Sequence, residues 1–381
     1  MSSSANAPPR PLPKTVLVTG AGGYIGFAVS RAFVRAGWDV FGLIRRAEGA
    51  DALLTEEITP LIGAIGPDLA FLDNFLTKPS TPPFDVIVSC TEQIPFGEHW
   101  QHVSALLTKV ANHYHAKNSG GRPLVLMSSG CKDYGQTARH GDPRLAPHCE
   151  TSPLDPKEIL VARTTCTLKV FEQHNRDLYD AAVIRPTPLF GYGGSYYGVL
   201  FEALGRLQTQ TQIQGTDVEK DGEGHGAQVR VPGHPDNIYH GCHIDDCADA
   251  YVALATYPVR SQVNGESFNI SGYRYETVGE ILLALAAEYG IRGAITTAPL
   301  KEISNPELRA LEAMLGYTQW VDSTKIRKLT GWTDKRKLFS ENVRTYRLAY
   351  EAAARAGDAG IKRFSDRVAG WAAAGLSFER K

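Results

Sequence analysis

Gly20, Gly23 and Gly26 stand at three-residue intervals in TGAGGYIG, with Tyr24 and Ile25 between the last two. Glycines so placed let backbone close on a diphosphate, while the amino end of a following helix supplies free N–H donors and partial positive charge. A plain tight turn would use the same residues, so the flanking elements decide. The chain reads TVLVT before the turn, then Ile25, Ala28, Val29, Ala32 and Phe33 at helical spacing up to Gly37, then DVFGLI (Asp39 to Ile44). Strand, turn, helix and strand make a parallel βαβ unit, so the turn is read as a dinucleotide site. About 20 residues past it, where an acid would receive the ribose hydroxyls, stand Arg45 and Arg46. Two guanidiniums suit a 2′-phosphate and give a plain ribose no acceptor, so NADP(H) is expected over NAD(H); exposed surface arginines are the alternative.

The alternation continues through ITPLIGAI, FDVIVSC (Phe84 to Cys90), a helix near Trp100 to Ala116, RPLVLMSS, a helix near Ile159 to His174, and AAVIRPTPLFG (Ala181 to Gly191). This predicts a Rossmann-type, doubly wound parallel α/β sheet over 14–190. The pattern then loosens through GYGGSYYG and the Gly-rich stretch Gly215 to Gly233. HIDDCADAYVALATY and SFNISG bring the chain back to the sheet over 243–275, leaving 191–242 and 276–381 for a smaller substrate lobe and C-terminal helices. Residues 1–13, Ser- and Pro-rich without an apolar stretch, read as a disordered tail and not a secretory signal.

With 40 Lys+Arg against 41 Asp+Glu, the chain offers no broad positive field for nucleic acid or an anionic bilayer. No apolar run approaches the roughly 20 residues that span a membrane, and a cytoplasmic address is expected. Six scattered cysteines read as free thiols.

Four motifs, TGAGGYIG, LMSSGCKDYG (Leu126 to Gly135), IRPTPLFGYGGS (Ile184 to Ser195) and HIDDCADAYVA (His243 to Ala253), occur in the order seen in the short-chain dehydrogenase/reductase superfamily. The chain resembles its extended and atypical NAD(P)-dependent epimerase/dehydratase-like branch. That resemblance implies a Ser or Thr holding the substrate oxygen, a Tyr handling the proton and a Lys four residues later on the nicotinamide ribose. None of the 16 tyrosines has a Lys four residues on. Ile159 and Arg163 take the Tyr and Lys positions, and Gly130 takes the Ser position just after Ser128 and Ser129. Arg163 can hold a ribose hydroxyl but, with a pKa above about 12, cannot shuttle a proton. Tyr134 is then the nearest acid, with Lys132 or Arg163 able to depress its pKa, and Ser129 or water the alternative proton route; a packing role for Tyr134 competes. Pairing of two copies through the fourth and fifth helices is common among such proteins.

Cys90 and Thr91 end the fourth strand and Pro186 lies near the end of the sixth, where the family lines its cofactor. Tyr192 and Tyr196 sit in a glycine-rich loop suited to a substrate wall. His243 can face the pocket, Asp245 is expected as a helix cap, and the cluster His240 to Cys247 fits no zinc spacing, so no metal is expected. The histidines His99, His102, His113 and His115 read as surface residues. No G-x-S-x-G elbow supports a hydrolase. The expected function is NADP(H)-dependent redox or epimerase chemistry on a small carbonyl or hydroxyl substrate. Dinucleotide binding without redox turnover, as a sensor, scaffold or non-redox isomerase or cyclase, is the alternative.

Overall fold

A computed structural model describes residues 14–118, 120–214, 229–291, 295–309 and 311–373. The expected tail 1–13 and most of the Gly215 to Gly233 stretch lie outside the described residues. The first half runs β1 (Thr15–Thr19), α1 (Tyr24–Arg35), β2 (Asp39–Ile44), α2 (Ala50–Leu54), β3 (Thr59–Ile62), α3 (Ala70–Leu76), β4 (Val86–Ser89), α4 (Phe96–Lys117), β5 (Leu124–Ser128), α5 (Glu158–Leu168) and β6 (Asp180–Pro186). There follow β7 (Leu189–Phe190), α6 (Tyr197–Gln214), β8 (Val229–Pro232), β9 (Ile238–Tyr239), β10 (Cys242–His243), α7 (Ile244–Thr256) and β11 (Glu266–Ile270). The remainder is β12 (Glu276–Thr277), α8 (Val278–Tyr289), β13 (Ile295–Ala298), α9 (Pro306–Arg309), α10 (Glu312–Leu315), α11 (Thr324–Thr330), α12 (Val343–Arg355) and α13 (Ala359–Ala373).

Among the described residues seven strands form one sheet in the order β11-β6-β5-β4-β1-β2-β3, every pairing parallel. All five residues of β1 are buried, because a parallel sheet is covered on both faces and needs apolar side chains on each. Val16 and Val18 turn toward the α1/α7 layer, and Leu17 turns toward the α3/α4 layer. The same alternation sends Val88 one way and Ile87 the other, so a single period of two builds both cores. Helix α4 is longer than the sequence predicts, and it buries Trp100, Val103, Leu107 and Val110 at helical spacing. Helix α5 ends sooner, at Leu168, and short 3₁₀ turns carry the chain to Asn175, whose side-chain amide donates to the Lys169 carbonyl.

A second core is built on α6, α8 and α12. Tyr197, Leu200, Phe201 and Leu204 of α6 meet Ile281 and Leu285 of α8 and Tyr346 and Tyr350 of α12. Helix α6 begins inside the segment read from sequence as loop. Its glycines hid the pattern, and one of them is required: a methyl group at Gly198 would lie 2.4 Å from the Tyr350 ring. Helix α8 is held at its start by a Thr277–Glu280 capping box and stops at Gly290 with φ 62°. No helix among the described residues is long and apolar enough to cross a membrane.

Candidate active site

The strand order reverses between β1 and β4, so the carboxyl ends of these two strands part and leave the crevice where open α/β sheets bind ligands. The glycine turn closes one wall of it. Gly20 has φ +70°, and a Cβ there would stand 2.8 Å from the Cys90 carbonyl oxygen. A Cβ at Gly26 would stand 2.2 Å from the Gly20 carbonyl oxygen, so the turn can fold this tightly only with hydrogen at both positions. Gly23 caps α1 without any side-chain cap, and the first intrahelical bond runs from the Phe27 N–H to the Gly23 carbonyl. The amides of Tyr24, Ile25 and Gly26 therefore have no intrahelical acceptor and face the crevice as anion donors. Tyr24 is steered away from it, its hydroxyl donating to the Gly191 carbonyl at 2.7 Å. This cradle, which only a turn with glycine at 20 and 26 can form, fits the diphosphate of a dinucleotide.

Across the crevice, Cys90 lies 3.4 Å from the Ser128 hydroxyl, and burial pushes its thiol up to about 12, so it stays neutral. Thr91 hydrogen-bonds His99. His99 is buried, 7% exposed, a correction to its reading as a surface histidine, and burial lowers its pKa. Arg45 and Arg46 follow β2 directly, both exposed, and neither guanidinium has a hydrogen bond or ion pair among the described residues.

The model of the NAD dependent epimerase/dehydratase family matches residues 16–271. The chain belongs to that family. Among curated proteins this family member is 25% identical over 357 residues to the uncharacterized protein y4nG of Sinorhizobium fredii, covering 87% of this chain and 78% of that one. It is 23% identical over 305 residues to the spore coat polysaccharide biosynthesis protein SpsK of Bacillus subtilis, covering 79% and 89%. Its fold is shared with the UDP-glucose 4-epimerase of Thermotoga maritima, at TM-score 0.62 and 17% identity over 89% and 99% of the two chains. The NAD-bound dTDP-glucose 4,6-dehydratase of Bacillus anthracis gives TM-score 0.62 and 15% identity over 89% and 97%.

This epimerase/dehydratase family member places Ile159 and Arg163 one turn apart on α5, half-buried. The Arg163 guanidinium lies over Gly130, 3.5 Å from where a Cβ would be, at ordinary contact distance. Its Nη2 donates to Asp133 at 2.5 Å, its Nη1 is 4.0 Å from Glu92, and its Nε has no partner among the described residues. Asp133 is the hub. It is 1% exposed and receives the Ser129 hydroxyl at 2.6 Å, the Thr164 hydroxyl at 2.7 Å and Arg185 Nε at 3.2 Å. Burial pushes its carboxyl up, but Arg163 and the hydroxyl donors outweigh burial and hold it below the ordinary range.

Three sequence expectations are corrected here. Tyr134 is a core tyrosine, 2% exposed: its hydroxyl donates to Asn269 at 2.9 Å and accepts from Arg185 at 3.1 Å, and burial raises its pKa. A hydroxyl so committed and so hard to ionise is a poor acid or base. His243, 3% exposed, accepts the Asp245 N–H at 3.1 Å and caps α7 in place of Asp245; burial lowers it to about 4, so it is neutral and structural. Tyr192 lies on the α1/α7 layer, its hydroxyl on Asp245 at 2.8 Å and its ring 5.9 Å from the Arg31 guanidinium. Tyr196 instead stays near Arg163, close enough to act on its charge. Pro186 ends β6 buried, in register with Ile270. Among the described residues no three His, Cys, Asp or Glu side chains converge as a metal site.

The residue missed is Lys132, considered from sequence only as a modifier of Tyr134. It rides the 3₁₀ turn after β5, which Gln319 clamps by donating to the Cys131 and Gly135 carbonyls, both at 2.7 Å. Its Nζ lies 4.6 Å from the Tyr317 ring centre. Burial and the neighbouring Arg163 charge lower its pKa to about 8, against an upward pull from the buried Glu312. Burial and the Arg163 charge thus draw this lysine, on the turn that follows β5, toward neutral pH, the range in which a side chain can exchange a proton.

Proposed function

We propose that the chain is an NADP(H)-dependent oxidoreductase or epimerase acting on a small carbonyl or hydroxyl substrate, with Lys132 in place of the missing tyrosine. The reading is carried by one observation: a cradle of unpaired amides at the β1/β4 crevice with two unpartnered guanidiniums, Arg45 and Arg46, at the end of β2. The Tyr24, Ile25 and Gly26 amides hold the diphosphate, Arg45 and Arg46 the 2′-phosphate, and Arg163 a ribose or substrate oxygen. A bound nicotinamide supplies hydride transfer. Lys132 Nζ gives its proton to the substrate oxygen when a carbonyl is reduced and receives it when a hydroxyl is oxidised. Asp133 and Ser129 position Arg163 and touch no substrate themselves.

Replacing both Arg45 and Arg46 by alanine is expected to weaken NADPH binding about 10- to 100-fold, the loss of one or two charge-assisted bonds, with NADH affinity unchanged. Calorimetric titration reads both, and equal losses for the two cofactors would remove the phosphate clamp. The activity itself is tested by mixing protein and NADPH with aldehydes, ketones and nucleotide sugars and following the absorbance of the reduced cofactor. Tight binding with no consumption and no epimerised product across the panel would favour a sensor or scaffold, the reading that Ile159 at the tyrosine position supports.

A further inference from the structure

The glycine turn has a visitor from the far end of the chain. Arg363 of α13 donates through Nη2 to the Gly22 carbonyl at 3.1 Å, across 341 residues of sequence. Its helix is fixed there by two further contacts. Phe364 meets the Tyr196 ring edge-on with centres 4.4 Å apart, and Asp358, which accepts the Gly360 N–H at 2.6 Å, packs so closely that a Cβ on Gly193 would lie 2.8 Å from its carboxylate. Apart from the Gly22 carbonyl, the guanidinium's one hydrogen bond is to the Ala359 carbonyl of its own helix at 3.2 Å, and it has no acidic partner among the described residues. A full positive charge therefore stands beside the positive end of α1 and three unengaged amides. Like charges gathered this way repel unless an anion sits between them.

We propose that Arg363 is a ligand of the dinucleotide diphosphate and that α13 forms the outer wall of the cofactor site, an inference that rests on the dinucleotide reading above. Arg363 leaves three N–H donors for phosphate oxygens and can pair two of them at once. Gly193 must stay bare where Asp358, just before α13, packs against it, and Gly194 where Tyr24 does.

The test is an Arg363→Met variant of the full chain, titrated by calorimetry with NADPH and NADH at low and high salt. The dinucleotide that wild type binds is expected to bind the variant about tenfold more weakly at low salt, with a shallower salt dependence, from loss of one charge-assisted contact. The unliganded melting temperature should match wild type, which separates ligand loss from a loosened helix; if it falls, Arg363→Gln, which keeps a donor for Gly22, is measured instead and should show the same weakening. Affinity within twofold of wild type, or an unchanged salt slope, overturns the proposal while leaving the dinucleotide reading intact. Wild type that binds neither nucleotide overturns both.

Discussion

Asp133→Asn is expected to destabilise the protein by about 3–5 kcal/mol, the range found when one partner of a buried ion pair is removed. Asp133 is 1% exposed and compensates two cations, Arg163 at 2.5 Å and Arg185 at 3.2 Å, the latter with its side chain only 3% exposed. The amide keeps one acceptor oxygen but turns two donors toward guanidiniums and hydroxyls that are themselves donors. The uncompensated charges, not the lost bonds, dominate the effect. The measurement is the urea midpoint, with the slope checked for constancy. The pH dependence follows the same carboxyl. Its pKa is depressed in the folded protein, so its contribution is complete above the ordinary carboxylate range and disappears as pH falls through the folded value. The asparagine variant should lack that segment of the acid-unfolding curve. A midpoint change of under about 1 kcal/mol would mean the cluster is hydrated and the hub unimportant.

Lys132→Met is expected to lower turnover about 10²- to 10⁴-fold, the usual worth of a positioned acid or base, while dinucleotide affinity holds. Methionine preserves the apolar stem against Tyr317 but leaves the buried Glu312 without that cation, so the urea midpoint of the variant is measured beside turnover to separate lost chemistry from lost folding. With a pKa near 8 the wild-type group is protonated below that value. Carbonyl reduction, which needs the acid, should fall as pH rises through about 8, and hydroxyl oxidation, which needs the base, should rise over the same interval. Both inflections should vanish in the variant. Turnover that stays within a few-fold of wild type with its pH profile intact would return the proton role to water or Ser129.

The cradle was legible because everything that makes it is local. Three glycines, the strand before and the helix after lie within 21 residues, and the period switches from two to 3.6 at the turn itself. The parallel sheet was legible from alternation, and the return of β11 to β6 from SFNISG. What was missed depends on distant segments. Asp133 gains its importance from Arg163, 30 residues on, and Arg185, 52 residues on. His243 has the sequence of a pocket histidine, but Phe190 of β7, Tyr192 of the loop after it and Tyr346 of α12 surround it. Lys132 offered the one signal available, a cation in SSGCKDYG where the usual proton donor is absent. Sequence could not show that burial and the Arg163 charge would lower its pKa to about 8. Nor does any spacing forecast that Arg363 returns to Gly22.

The central claim is that the bend from Gly20 to Gly26 seats a pyridine dinucleotide with its adenosine end toward Arg45 and Arg46. Calorimetric titration of folded wild-type protein with NADPH and with NADH tests it most directly. NADPH is expected to bind saturably, more tightly than NADH, and less tightly as salt rises. Absence of heat with both nucleotides, on protein whose far-UV spectrum and cooperative melting confirm folding, would contradict it.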